Sequence, residues 1–134
     1  MSPIEFLKSI YLGDRYCESL DIDHEKKEVN IKVNRISRIR DKSGIWEYYY
    51  DEDIEEGVIV IYGVNNVVLD ESGLLPNDQI YDIYAIEINN GIYEFTIETS
   101  YVDEEAITTD LIFKFIGKGV YLVDPSNPNI KIEN

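Results

Sequence analysis

One cysteine and one histidine are all this chain offers among the residues that most often hold zinc or drive nucleophilic catalysis. Cys17 has no second thiol with which to form an internal disulfide. Two potential donors cannot complete a four-coordinate zinc site. His24 falls in the tetrapeptide HEKK, a hairpin tip, where a surface role is expected rather than that of a base. Nothing near Cys17 in sequence lowers its pKa, so it reads as a small packed thiol, on the opposite strand face from Leu20 and Ile22 if the alternation runs unbroken.

Long apolar runs are also missing. The longest uninterrupted one is Val58–Tyr62, far short of the roughly 20 residues that cross a bilayer. The start, MSPIEFLKSIYLG, has no basic beginning and no small-residue cleavage site, which predicts no signal peptide. A soluble, cytoplasmic protein with no membrane partner is expected. Neither a P-loop nor a G-x-G-x-x-G is present, so no nucleotide cofactor is indicated.

The most telling shortage is of positive charge. Residues 1–42 carry nine cations against eight acids, whereas from Ser43 onward three lysines stand against nineteen acids. No Lys, Arg or His occurs between Ser43 and Phe113, and the net charge is −15. Such a chain repels phosphate backbones and attracts cationic partners or metal ions. The motif RISRIR contributes only Arg35, Arg38 and Arg40, too few to suggest nucleic-acid binding. Acidity also keeps small proteins soluble, and that reading stands beside the partner-directed one.

What is present describes a folded sheet protein. The chain has 134 residues, 44% of them hydrophobic, which suits a single domain spanning 1–134. Ser2, Pro3 and Glu5 form the start signal of a helix, Phe6, Leu7, Ile10 and Tyr11 share its apolar side, and Gly13 ends it. Then the pattern turns to alternation. ESLDID and EVNIKV read as a hairpin across HEKK. GVIVIYGVNNVVLD (57–70) is apolar on both parities and reads as a central strand with a bulge at Gly63. Asn90-Gly91 predicts a two-residue type I′ turn that pairs Ile88 with Tyr93, Ile86 with Phe95 and Tyr84 with Ile97. It also sets Glu87 opposite Glu94, on a face that is either well solvated or occupied by something positive. ITTDLIFKFIGKGVYLVD (107–124) reads as a further hairpin turning at Gly117–Gly119, and NIKIE as a last strand. The expected fold is all-β, an antiparallel sandwich or open barrel of seven to nine strands with one short N-terminal helix.

Residues 35–57, RISRIRDKSGIWEYYYDEDIEEG, are too aromatic for a plain connection. Acids at 51, 53 and 55 follow the spacing of an EF-hand loop. Glu56 stands where that loop needs Gly, however, and Tyr62 where it needs Glu. An EF-hand is excluded and no metal ligand set is assigned. Two readings of the segment remain. In one, it is a lid of Trp, Tyr and ion pairs, with Arg38 and Arg40 holding Asp51–Asp53. In the other, Trp46, Tyr48, Tyr49 and Tyr50 form a binding patch ringed by Asp51, Glu52, Asp53, Glu55 and Glu56.

SPIEFLKSIYLGDRYCESLDI, ISRIRDKSGIWEYY, GLLPNDQI and LVDPSNPNIKI together resemble a family of small acidic bacterial proteins of unknown function. Strand rhythm and acidity give a distant likeness to the immunity proteins of polymorphic toxins. Neither resemblance implies a functional residue. The expected function is a non-enzymatic, acidic protein-binding module for a basic protein, with no cofactor, and a toxin-neutralising immunity role as its sharpest form. The alternatives are a small-ligand or cation-binding β domain, or a hydrolase built on two converging carboxylates.

Overall fold

The structure, a computed structural model, describes residues 1–39 and 53–133. Among the described residues, one helix, α1 (Pro3–Lys8), precedes twelve strands: β1 (Ile10–Tyr11), β2 (Cys17–Asp23), β3 (Glu28–Val33), β4 (Arg35–Arg38), β5 (Ile54–Glu55), β6 (Val58–Tyr62), β7 (Asn66–Val68), β8 (Ile80–Asn89), β9 (Ile92–Val102), β10 (Thr108–Gly117), β11 (Gly119–Val123) and β12 (Lys131–Ile132). Three open sheets result, ordered β12-β11-β6-β3-β2, β7-β10-β9-β8 and β1-β4-β5. Every strand pairing in them is antiparallel. The two larger sheets share one core. Ile31, Ile59, Ile61 and Leu122 come from the first, and Ile83, Phe95, Ile97, Phe113 and Phe115 from the second. This is the expected all-β, antiparallel architecture with one short N-terminal helix, and among the described residues no barrel closes.

Much of the local reading holds. Ser2 caps α1, accepting from the Glu5 amide at 3.2 Å, while the Glu5 carboxylate accepts from the Ser2 amide at 3.4 Å. β2 and β3 pair as expected, Leu20 with Ile31 and Ile22 with Val29. A bulge between Cys17 and Ser19 interrupts the alternation, so Cys17 joins Leu20 in the core instead of facing away. β6 is central and buried, as its doubly apolar pattern requires.

Four expectations are corrected by long-range pairing. The helix ends at Lys8, not near Gly13, because Ile10 and Tyr11 leave it to pair with Arg38 and Ser37. Residues 57–70 form two strands in different sheets. Gly63 adopts φ +65°, and the chain crosses there from β6 to β7. Residues 107–124 are likewise not a hairpin. β10 pairs with β9 and β7, β11 with β6 and β12, and Gly117–Gly119 carry the chain between the two sheets. A Cβ at Gly117 would stand 3.0 Å from the Tyr62 carbonyl oxygen, so only glycine permits that approach comfortably.

The fourth correction is the register of the β8–β9 hairpin. Next to the turn Asn89 pairs with Ile92, as Asn90-Gly91 dictates. An irregularity between Glu87 and Asn89 then slips the ladder by one, so Ala85 faces Phe95 and Ile83 faces Ile97. Glu87 meets Tyr93, and Ile86 meets Glu94. A single-residue slip turns every side chain to the other face. The inner space opposite Phe95 is filled by Ala85, and Tyr84, Ile86 and Ile88 come to the surface.

Candidate functional site

Of the residues expected to form a binding patch, Trp46, Tyr48, Tyr49, Tyr50, Asp51 and Glu52 lie outside the described residues, as does Arg40. Asp53, Glu55 and Glu56 are described. Ile54 is buried and anchors β5 to Ile36 on β4, which leaves Glu55 pointing outward. There Arg35 pairs with it at 3.3 Å. Both partners are well exposed, so the pair contributes only about 0–1 kcal/mol, but it does offset one of the cluster's charges. Glu56 turns the chain at φ +53°, its amide donating to the Asn34 carbonyl at 2.9 Å.

Arg38 behaves as a core residue. It is 2% exposed, its Nε donates to Ser9 Oγ at 2.9 Å, and its guanidinium lies 4.7 Å from the Phe6 ring centroid. Ser9 Oγ in turn donates to the Phe6 carbonyl at 2.6 Å. Arg15 stacks on Tyr11 at 5.1 Å and donates to Ser37 Oγ at 3.0 Å. These contacts tie α1 and the β1–β4 corner together.

Cys17 opens β2 and His24 lies in the turn just past its other end, about 20 Å away along an extended strand. Burial is the main cause that pushes the Cys17 thiol up to about 12, with Asp21 and Glu18 adding to it. No group of three or more His, Cys, Asp or Glu side chains able to hold a metal ion occurs among the described residues. Nor does any described helix have the length and apolar content to cross a membrane.

The surface that the sequence did not reveal is the outer face of the β7-β10-β9-β8 sheet. Register places Tyr84, Thr96, Lys114 and Val68 in one row across the four strands, and Ile86, Glu94, Ile116 and Asn66 in the next. Asp82, Glu98 and Ile112 make a third. Val68, Tyr84, Ile86 and Ile112 are all exposed, Ile86 at 51%. Around them stand Asp82, Glu94, Glu98 and Asp110. Lys114, 3.6 Å from Glu94, is the one cation in these rows. Tyr81 donates to Asp110 at 3.1 Å. Asp70 braces the far edge, accepting the Ile112 amide at 2.9 Å and the Ser72 amide at 3.0 Å. Hydrogen bonds from Ser72 and from the Ile112 amide hold its carboxyl below the usual range. One signal for this face was legible in β10, where Ile112 and Ile116 occupy the polar parity between Leu111, Phe113 and Phe115.

No curated protein matches the chain significantly. No solved structure does so either. A family match covers the whole chain, residues 1–134, and the chain belongs to that Family of unknown function (DUF6258).

Proposed function

We propose that the protein is a non-enzymatic, cytoplasmic binding module that docks a basic protein on the outer face of its four-stranded sheet. The observation that carries this reading is the mixture on that face. Exposed Val68, Tyr84, Ile86 and Ile112 are interleaved with Asp82, Glu94, Glu98 and Asp110, and a lone lysine accompanies them. Apolar side chains flanked by one sign of charge suit a partner whose apolar patch is ringed by lysine and arginine. The acids speed and orient the encounter, while the apolar contacts supply most of the affinity. Neutralisation of a basic toxin by an acidic immunity partner is the sharpest form of this function. The aromatic segment Trp46–Tyr50 and the acids that follow it belong to the same proposal as a second contact region.

Immobilised protein tests the reading when compared with a Glu98→Lys/Ile112→Lys variant of equal stability. The expected result is a basic protein held by the wild type from the source cells' lysate, released as salt rises, and not held by the variant. Equal retention of that protein by both forms would rule this face out.

A further inference from the structure

We propose that the edge of β8, unpaired among the described residues, receives an extended, basic strand of that partner, which adds to the sheet in the groove between β8 and β1. The inference rests on the basic-partner reading and specifies how the partner is held. β8 ends one sheet and β1 ends another, and both edges line a single groove of about 380 Å³. Ile10 and Leu12 stand on one side, Ile83 and Ala85 on the other, and Leu7 of α1 beside them. A groove lined by two strand ends and apolar side chains has the form that an added strand fills, with main-chain hydrogen bonds supplying affinity and alternate side chains specificity.

The middle of β8 lacks several of the usual protections of an edge, although α1 packs beside it. Natural edge strands carry lysine, proline or a bulge in their middle. β8 has its irregularities near its two ends, between Ile80 and Asp82 and between Glu87 and Asn89. The stretch from Asp82 to Glu87 is regular and contains neither lysine nor proline. Among the described residues, no backbone hydrogen bond outside the β8–β9 ladder reaches this stretch.

The chemistry of the occupant follows from the side chains. An added strand's outward residues would join the rows of Asp82, Tyr84 and Ile86, where Glu98, Thr96 and Glu94 lie on the next strand. Its inward residues would meet Leu7, Ile83 and Ala85. The charges on β8 itself are Asp82 and Glu87, both acidic, and among the described residues Lys8 is the single cation lining the groove. An extended segment with apolar residues inward and lysine or arginine among its outward residues satisfies both sides.

The test uses the intact protein, isotopically labelled, and a capped eight-residue peptide of alternating lysine and valine. At low salt the peptide is expected to shift the amide resonances of Ile83–Glu87 and Ile10–Leu12. It is also expected to slow hydrogen exchange of the outward β8 amides about tenfold or more. The same peptide N-methylated at alternate residues keeps its charge but loses donors, and is expected to bind about tenfold more weakly, as roughly 1.4 kcal/mol of lost main-chain bonding implies. Equal binding by the two peptides, or shifts confined to Glu98, Ile112 and Lys114, would overturn strand addition while leaving the basic-partner reading standing. Absence of binding by the unmodified peptide would also overturn it. The fate of the docking face is then read separately from the retention assay with Glu98→Lys/Ile112→Lys.

Discussion

Ala85 lies directly opposite Phe95 on the β8–β9 ladder, and both side chains are buried. Their neighbour Ile86, on the other face, is half exposed opposite Glu94. The pairing of a small residue with a large one fits the space between the sheets, where Ile86 against Phe95 would add three carbons to a filled core. Ile86→Thr is therefore expected to change the unfolding free energy by no more than about 0.5 kcal/mol, and Phe95→Ala to lower it by about 3–5 kcal/mol. Urea unfolding measures both. A loss of several kcal/mol in Ile86→Thr would mean that Ile86 faces inward.

Ser9 links α1 to β4 through the buried Arg38. Ser9→Ala removes the acceptor of Arg38 Nε and the donor to the Phe6 carbonyl. The expected cost is about 1–3 kcal/mol, the usual penalty for stranding a buried polar group, and it is expected to be insensitive to salt. Unchanged stability, or a cost that disappears at high salt, would show that this contact contributes nothing specific.

Cys17 and Tyr121 both contribute to the response to alkali. Burial pushes each of them up to about 12, Tyr121 being further raised by the Glu28 carboxylate, to which it donates at 2.7 Å. A raised folded-state pKa means that the folded chain holds the proton more tightly. The associated stability is complete below the ordinary values, 9.0 for the thiol and 10.0 for the phenol, and is lost as pH rises towards 12. Melting temperature is expected to fall across that window, and less steeply in Cys17→Ala and Tyr121→Phe. A parallel fall in all three proteins would contradict the assignment.

The same burial makes Cys17 inert. At pH 8 its thiolate fraction is about a thousandfold below that of a free thiol, given a pKa near 12 in place of 9.0. A thiol-reactive disulfide reagent is expected to label it at the rate of unfolding. Rapid labelling of the native protein would place the sulfur at the surface.

Gly63 is where the chain leaves β6 for the second sheet, and its φ is +65°. A Cβ added there would stand 2.8–3.0 Å from side-chain atoms of Lys118, which leaves no easy room for alanine. Gly63→Ala is expected to cost about 1–2 kcal/mol from the left-handed backbone alone, with folding otherwise intact. Thermal unfolding reads the change, and a neutral result would argue that the crossing relaxes.

The sequence by itself determined the sheet-built class, the capped N-terminal helix, the β2–β3 hairpin, the Asn90-Gly91 turn and the scarcity of cations after residue 42. Each of these is written in a few adjacent residues or in composition. Capping acts across three positions, a two-residue turn across four, and alternation along one strand. Tertiary structure decided which sheet each strand joined and which face it turned inward. Local apolar alternation is blind to a crossing such as those at Gly63 and Gly117–Gly119, because both sides of the crossing are apolar. It is equally blind to a slip beyond a well-formed turn. The one-residue irregularity near Ile88 moved Tyr84 and Ile86 from core to surface, because the space facing Phe95 accepts Ala85. The β8 half of the candidate docking face exists for that reason, and only Ile112 and Ile116 on the polar parity of β10 hint at it in the sequence.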